Sequence, residues 1–579
     1  MTEITPRTPW TLADPAPIDP DTIADAQARG LSARLVRILS RRGPVTRETL
    51  AAWFDDPVDA LHDPGLLPDA DRCRARVDRA AETGERVLVF GDFDADGLTG
   101  SAILVLALRA RGIMADPWIP HRTEEGHGLS VAAVRHAMEE GVGLIVTADT
   151  GTTSHAEIDL AAGRGIDVIV TDHHALPPSL PEAVAVVNPH RADSRYPDRS
   201  LSGAGVAFKV AQLILADLPG GPERALGLAD LAAVGTIADV VSPEGENRAI
   251  TRLGLRRLAE GPRPGLRALL ESAGVAGDPV GRETVSHRLA PRLNALGRVE
   301  GSADGAIALL LAEDADEVVP LVERIEEANR LRRDLTARAL AEAREQLPAA
   351  AADGILVVAG PWPAGVIGLV AGRLAEETGR AALVLSTVAA PWRGSARGNG
   401  ETDLAAALRA CEGLLVKHGG HAAAAGCQVE PDRVPELREA LMAFGRAEPE
   451  RATNPPLALD LVVGGDAVDF VLLSEIAPIE REGDPPPLLG IAGLIVRRVR
   501  EVRGGHLQLT LEKGSRVFDA IWFGGAALGG SLEAGAEVDL AARLGARTWN
   551  GVEQLRLEIR DLAPAGYLRS LRAGSGSAA

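Results

Sequence analysis

Three carboxylates at alternate positions, Asp92, Asp94 and Asp96, follow the apolar run Val87-Leu88-Val89-Phe90 in the stretch VLVFGDFDADGLTGS, residues 87–101. A short apolar run of this kind reads as a buried strand. Alternate residues of an extended chain point the same way, so at least two of the carboxylates can converge on one point. Carboxylates packed together repel, and such a cluster usually holds hard divalent cations. Taken alone, the stretch fits three readings. It matches the start of a calcium loop, but the twelfth position from Asp92 is Ile103 rather than Glu, and a strand rather than a helix precedes it. A strand-borne DxD also suits an aspartyl-phosphate phosphatase, and a solvated acidic turn needs no chemistry at all.

Acidic and imidazole groups recur at the ends of other apolar runs. Asp149 follows GLIVTA, Asp172-His173-His174 follow IDVIVT, and Asp239 is embedded in TIADVV. The elements that must position them alternate between strand and helix from Arg86 to about Val241, which predicts a parallel α/β sheet. The expected order is strand VLVF, helix SAILVLALRARG, a strand near Pro117–Ile119, helix VAAVRHAMEEG, strand GLIVTADTG, helix HAEIDLAAGRG and strand IDVIVT. Ligand sites of such sheets lie at the carboxyl ends of the strands, so the pattern puts these groups on one rim. A lone Asp among apolar residues must be hydrogen-bonded, paired or metal-bound. A helix cap would suit Asp239 in isolation; beside the other clusters a metal suits it better. Oxygen ligands with imidazole and no cysteine favour Mn²⁺ or Mg²⁺ over structural zinc. Two such ions about 4 Å apart can activate a water and stabilise the leaving oxygen in phosphoester hydrolysis. There is no GxxxxGK[ST] and no strand-borne GxGxxG, so nucleotide-cradling loops have no support.

A chain of 579 residues is too long for one core, and several domains are expected. No apolar run suffices to span a bilayer and the start carries no signal-peptide core, so a cytoplasmic protein without a membrane partner is expected. Cys73, Cys411 and Cys427 have no CxxC spacing and read as reduced thiols. With 61 basic and 81 acidic residues the net charge is −20. Non-specific coating of duplex is thereby disfavoured, and any nucleic acid must be met through a local positive groove or metal ions. Nearly every basic residue is Arg, with Lys only at 209, 417 and 513; Arg suits bidentate phosphate contacts, and genomic base composition produces the same bias.

The rest of the chain frames this sheet. Residues 1–84 carry helical patterns and read as a helical N-terminal cap, with a helix start at Thr46. The α/β domain is expected over 85–302, connecting helices over 303–350, and a second α/β domain over 351–450 with glycine clusters at GSARGNG and KHGGHAAAAGC. The connecting segment alternates acid and base at helical spacing, the ordinary mark of a solvated helix. Asn454-Pro455-Pro456 reads as a linker. Five strand-like runs over 451–568 (IAGLIVRRV, HLQLTLEK, RVFDAIWF, VDLAARL, QLRLEIRDL) predict a β-barrel of the OB type, a common single-strand binder. Trp522 and Phe523 could stack on bases, although most such aromatics are core. Residues 569–579 are expected to be a disordered tail.

The motifs GDFDADG (91–97), ADTG (148–151), TDHH (171–174) and ADVV (238–241) stand in the order of the DHH phosphoesterase superfamily. EEGHGLS (124–130), NPH (188–190), SGAGVAFK (202–209) and PRLNALGR (291–298) resemble its RecJ branch, the single-strand-specific 5′→3′ DNA exonucleases of repair and recombination. The resemblance covers almost the whole length. It implies that Asp94, Asp96, Asp149, His173 and Asp239 bind two divalent cations, Mn²⁺ or Mg²⁺, with Asp149 as the bridge and Asp92 as a supporting or occasional ligand. His174 would contact the scissile phosphate and stabilise its developing charge, since a neutral His173 suits metal ligation and an adjacent protonated His174 suits an oxyanion. The connecting helix would line a groove between the two α/β domains. Ser395 and Arg397 match positions that hold a 5′-terminal phosphate, with Arg292 and Arg298 as candidates to join them and Arg122 to hold the backbone near the metals. Gly419-Gly420-His421 resembles the nucleic-acid-binding motif of the DHH-associated domain, which gives His421 a place in binding. Pro363, where relatives often carry His, and Gly398, where the loop often continues with Ser, depart from the pattern at the end-binding pocket. The implied partners are single-stranded DNA with a 5′ end, a single-strand-binding protein and a helicase. Two other functions compete: a DHH phosphodiesterase acting on short oligonucleotides or cyclic dinucleotides, and a non-catalytic DNA-binding replication factor.

Overall fold

The computed structural model describes residues 5–574 except 276–279, 348–353, 399, 401, 448–455, 482, 504, 527–528, 530–531 and 550–551. Asn454 and Pro455 of the expected linker, and residues 575–579 of the expected tail, lie outside the described residues. The chain divides into two compact units, Ala60–Thr453 on one hand and Met1–Asp59 with Asn454–Ala579 on the other.

In the first unit, five parallel strands lie in the spatial order Met114–Trp118, Arg86–Gly91, Val142–Ala148, Asp167–Thr171, Ala185–Val187. Side-chain alternation sends Val87 and Val89 into one apolar cluster and Leu88 and Phe90 into another. Both faces are therefore covered, which is why the strand reads as an unbroken apolar run rather than an alternating one. The expected strand at 117–119 begins earlier, at Met114, on the edge of the sheet, where Pro117 is tolerated because no neighbour needs its N–H. One face carries the buried helix Ala95–Ala110, with Gly203–Leu215 and Ala229–Ala238 packed on it. Small residues permit this approach: a Cβ on Gly100 would meet Ala148 and Ala204 at 3.6 Å, and one on Gly235 would fall 2.4 Å from Ala204 Cβ.

The helix Asp304–Leu311 and the 31-residue helix Ala315–Glu345 lead to a second sheet. Its order is Lys417–Gly420, Ala424–Val429, Trp392–Arg397, Ala382–Ser386, Leu356–Gly360, and only the last pair is parallel. The helix Ala364–Thr378 covers one face of it, with Ile367, Val370 and Leu374 buried against Val358 and Val384.

In the second unit the strands Leu488–Val502, His506–Lys513, Arg516–Trp522, Val552–Pro564 and Glu537–Trp549 form a ring that closes through pairing of the first with the last. This closed five-strand barrel, with Arg516–Trp522 and Val552–Pro564 paired in parallel, is the OB arrangement. Trp522 is buried with the Arg7 guanidinium 4.5 Å from its ring, while Phe523 is half exposed against His506.

Two expectations about boundaries change. The segment 1–84 is not one cap. Trp10–Thr11 pairs in parallel with Leu457–Ala458, and Ile38, Leu39 and Leu50 share a core with Leu472, Ile476 and Leu509 of the barrel unit. The helix Ala70–Thr83 instead buries Cys73, Val77 and Ala80 in the core of the first sheet. An amphipathic stripe specifies that a helix buries one face, not which distant partner receives it. Residues 569–574 of the expected tail belong to the helix Tyr567–Gly574, anchored by buried Leu568 and by Tyr567 edge-on to Trp10 at 5.1 Å. Among the described residues no helix is long and apolar enough to cross a membrane.

Candidate functional site

The first sheet ends each of three strands in an acid. Asp92 follows Arg86–Gly91, and its amide donates to the Ala148 carbonyl at 3.3 Å. Asp149 follows Val142–Ala148 with φ +60°, a left-handed conformation that costs a non-glycine residue free energy and clusters at functional sites. Asp172 follows Asp167–Thr171. The turn after Asp92 starts the helix Ala95–Ala110: Asp94 Oδ1 caps it by accepting from the amides of Asp96 at 3.0 Å and Gly97 at 3.1 Å, leaving Oδ2 free of the cap. Asp96, in the first turn, is buried and accepts from Gly203 N at 2.7 Å and Ala204 N at 2.9 Å, the first amides of Gly203–Leu215. Two helix N-termini thus face the acids with their positive ends.

His173 Nε2 stands 3.0 Å from Asp149 Oδ1, 3.6 Å from Asp239 Oδ2 and 3.9 Å from Asp96 Oδ2. Three triads have ligand atoms within 4.8 Å of one another: Asp92, Asp94 and Asp149; Asp96, His173 and Asp239; and Asp149, His173 and His174. Asp149 belongs to two of them and touches the remaining one through His173. Asp239 closes the helix Ala229–Ala238, as a capping residue would, but at the C-terminal end, where a carboxylate faces the negative pole and gains nothing from it. The next residue, Val240, has φ +60° and is 82% exposed, so the turn that delivers Asp239 is strained without burial to offset it.

The cluster fits cations on its own chemistry. Asp149 Oδ1 is buried and accepts no hydrogen bond of good geometry, although His173 Nε2 stands 3.0 Å away. Burial raises its pKa well above the usual carboxylate value, and Asp96 and Asp94 raise it further. Burial likewise raises Asp94, with Asp92 adding to it, raises Asp96, with Asp94 adding to it, and pushes Asp239 up to about 6, helped by Asp96. Anionic oxygens that burial and mutual repulsion strain in this way are relieved by a divalent ion. There is no room for bulk beside them: a Cβ on Gly203 would lie 2.4 Å from Asp149 Oδ1, and one on Gly235 would lie 2.5 Å from Asp96 Oδ1.

His174 is held differently. Its Nδ1 lies 2.7 Å from Asp172 Oδ1, and this bond, more than the Asp149 charge, raises its pKa to about 9 against the opposing effect of burial. Burial alone would raise Asp172, yet hydrogen bonds from His174, Thr152 and the His174 amide carry it below the usual range. Asn188 of the NPH motif donates to the His174 carbonyl at 3.0 Å, fixing the loop.

A second feature is basic. Arg298 donates to the Gly365 carbonyl at 3.2 Å, and Arg397 donates to Ser395 Oγ at 3.0 Å and to the Ala396 carbonyl at 2.8 Å. The Arg122 guanidinium rides over Phe93, 4.4 Å from the ring centre. Burial, with Arg122, Arg332 and Arg397 adding to it, pulls Arg298 down to about 9, and burial and Arg122 lower Arg397. Cations crowded in this way await an anion. Arg292 is occupied otherwise, donating to Glu326 Oε1 at 2.5 Å and to the Arg288 carbonyl at 2.8 Å. His421 sits exposed at the tip of the hairpin formed by Lys417–Gly420 and Ala424–Val429, its backbone amide bonded to the Ala424 carbonyl at 2.8 Å. Pro363 is the N-cap of Ala364–Thr378, and Gly398 N donates to the Ala423 carbonyl at 2.9 Å.

Sequence reasoning gave no role to two residues here. Arg332, on the long helix, reaches Asn329 Oδ1 at 2.9 Å and has a buried Nε without a partner; its signal was hidden in a helix whose charges alternate like a solvated surface. His127 Nδ1 lies 3.2 Å from Asp92 Oδ2, with its ring 4.5 Å from Phe93; the only signal was its place in EEGHGLS.

Comparison with known proteins agrees with this architecture. The family models that match are the DHH family, N-terminal domain over residues 86–236, the DHHA1 domain over 353–446 and the RecJ OB domain over 473–561. Fold and cluster thus define a DHH phosphoesterase that carries a DHHA1 domain and an OB barrel. The single-stranded-DNA-specific exonuclease RecJ of Thermus thermophilus is 37% identical over 88% of this chain and 72% of its own length. Those of Bacillus subtilis and Escherichia coli are 33% and 32% identical, over 91% and 84% of this chain and 67% and 88% of their own lengths. The crystal structure of RecJ in complex with Mn²⁺ from Thermus thermophilus superposes with a TM-score of 0.80 at 31% identity, covering 96% of this chain and 79% of that one. This chain belongs to the RecJ family.

Proposed function

We propose that this chain is a metal-dependent exonuclease that hydrolyses single-stranded DNA in the 5′→3′ direction to mononucleotides, in repair and recombination. The observation that carries the reading is the convergence of Asp94, Asp96, Asp149, His173 and Asp239, with a buried Asp149 oxygen among them whose close neighbour is His173 Nε2, in one unit with a half-buried arginine cluster. Those five residues would hold two divalent cations, Mn²⁺ or Mg²⁺, with Asp149 shared between them and Asp92 behind Asp94. Bound there, the ions supply Lewis-acid activation of water and charge neutralisation at the phosphate. The relatives in Thermus thermophilus have been solved in complex with Mn²⁺ and with Mg²⁺.

The chain's own residues do the rest. Asp172 holds His174 Nδ1 and keeps the imidazole protonated, so that its other nitrogen can donate to a non-bridging phosphate oxygen as charge develops. Arg298, Arg397 and Ser395 receive a terminal 5′-phosphate, with Arg332 beside them and Arg122 nearer the acids. An anion there relieves the repulsion that lowers the arginine pKa values. End binding at a fixed offset from the acids yields stepwise release. Arg292, paired with Glu326, and exposed His421 take part as contacts further along the strand. The OB barrel favours a long single strand over a dinucleotide, because a short substrate needs no further binding surface.

Degradation of a 3′-labelled, 5′-phosphorylated single strand with Mn²⁺ tests the reading. Label should stay in shrinking fragments until the last step, mononucleotides should accumulate, and EDTA should abolish both. Cleavage that persists in EDTA, or loss of the 3′ label first, would overturn it. The proposal extends to a cytoplasmic location and to a helicase and a single-strand-binding protein as suppliers of substrate, testable by recovering either from cell extract on the immobilised full-length chain.

A further inference from the structure

A knot of buried groups that the chemistry does not touch lies behind the acids, and its role rests on the metal-cluster reading above. The helix Gly203–Leu215 acts on the cluster at its first turn, where Gly203 and Ala204 hold Asp96 and the Gly203 Cα abuts Asp149. Two turns along, Lys209 is wholly buried. Its Nζ lies 2.9 Å from Glu246 Oε1 and donates to the His62 carbonyl at 2.6 Å. Glu246 is buried as completely, accepting from the His62 amide at 2.9 Å and from the Tyr196 hydroxyl. It stands in the first turn of Gly245–Glu260, the helix that follows Asp239 and the strained Val240. Its own amide donates to Asp198 Oδ2 at 2.8 Å, and Asn247 Nδ2 donates to the Ser200 carbonyl at 2.6 Å and the Ser242 carbonyl at 3.1 Å. One knot therefore binds the helix that carries Asp96's amides, the loop leading to Ser202, and the segment that delivers Asp239.

Stability does not account for it. Taking a lysine and a glutamate fully out of water costs several kcal/mol for each ion, and well-packed apolar residues of equal volume are often as stable or more so. What an ion pair adds is direction, because it is satisfied in one geometry only. We infer that Lys209, Glu246 and Tyr196 form a positioning clasp that fixes Asp239 relative to Asp96 and so sets the affinity of the cation held by Asp96, His173 and Asp239.

Calorimetric titration of Mn²⁺ into the metal-free full-length chain tests this without any activity measurement. The double variant Lys209→Met/Glu246→Leu, which also takes these partners from the His62 backbone and the Tyr196 hydroxyl, should melt below the wild-type temperature while staying folded, and bind one of its two Mn²⁺ ions about tenfold more weakly, the scale on which groups supporting metal ligands act. Tyr196→Phe, which removes one hydroxyl and keeps the ion pair, should weaken the same ion by a smaller factor, and serves if the double variant does not fold. Wild-type affinities for both ions in the folded variants would overturn the clasp alone. A wild-type chain that binds no Mn²⁺ would overturn the clasp together with the metal-cluster reading.

Discussion

Four acids and the His174 imidazole titrate here under opposite constraints, and pH separates them. Burial raises Asp94, Asp96, Asp149 and Asp239 above ordinary carboxylates, Asp239 to about 6. Without metal, a group whose folded pKa is raised favours the fold when protonated, and that contribution is lost as pH rises from the carboxylate range through about 6. A divalent ion removes the penalty, so the rise in melting temperature on adding Mn²⁺ should be small at pH 5 and large at pH 8. An equal rise at both would remove the acids from the ion's neighbourhood. His174 has the other sign. Its raised pKa of about 9 means that the stability of its pair with Asp172 is complete below the ordinary histidine value of 6.5 and disappears as pH climbs through about 9. Asp172→Asn keeps an acceptor for the amides of His173 and His174 but cannot hold the imidazolium charge. The alkaline limb of kcat/KM should then move down by more than one pH unit, with activity below the limb largely kept. A limb that stays in place would mean that His174 does not act as a charged donor.

At the scale of elements, the rim is assembled by helix ends packed at glycine distance. Gly203 is the sharpest case, because a Cβ there would fall 2.4 Å from both Asp149 Cβ and Oδ1. Gly203→Ala must push the helix Gly203–Leu215 away from the strand end or rotate Asp149, and either movement also disturbs the two amides that hold Asp96. Mn²⁺ binding by the metal-free variant should weaken at least tenfold, with a melting temperature within a few degrees of wild type. Wild-type binding would show that the helix end has slack. The acids and imidazoles at 92–96, 149 and 172–174 were legible in the sequence because each ends an apolar run, and strand ends of a parallel sheet share one rim. Gly203, Arg332, Lys209 and Glu246 were not legible, for distinct reasons. Gly203 matters only through an approach of 107 residues in sequence, from Ala95–Ala110 to Gly203–Leu215. Arg332 looks like any other charge on a 31-residue helix until its partners fold around it. Lys209 and Glu246 are individually the residue types least expected in a core, and only their pairing makes them so.

For the molecule as a whole, the net charge of −20 is reconciled with a nucleic-acid substrate by local clustering of arginine rather than by overall charge. Its architecture carries a further consequence. The helices Pro20–Ala28, Ala33–Arg42 and Arg47–Phe54 precede the catalytic unit in sequence but bury Ala26, Leu35, Ile38, Leu39 and Leu50 with the barrel, whose strands begin more than 400 residues later. Arg42 is paired with Asp460 at 2.8 Å, and Trp10 donates to Asp561 at 2.8 Å. Cutting the chain at residue 453 therefore does not simply delete a binding module; it strips the partner from a folded segment and exposes its apolar face. Residues 60–453, by contrast, keep all the sheet, helix and arginine contacts of the candidate site. Three proteins should separate these cases: the full chain, residues 1–453 and residues 60–453. The 60–453 fragment should be soluble and bind Mn²⁺ like the full chain, and should cleave short single strands while losing affinity for long ones. The 1–453 fragment should bind more of a hydrophobic dye and aggregate at a lower temperature than 60–453, although it is the longer of the two. Equal dye binding and equal aggregation temperatures would mean that residues 1–59 are stable without the barrel.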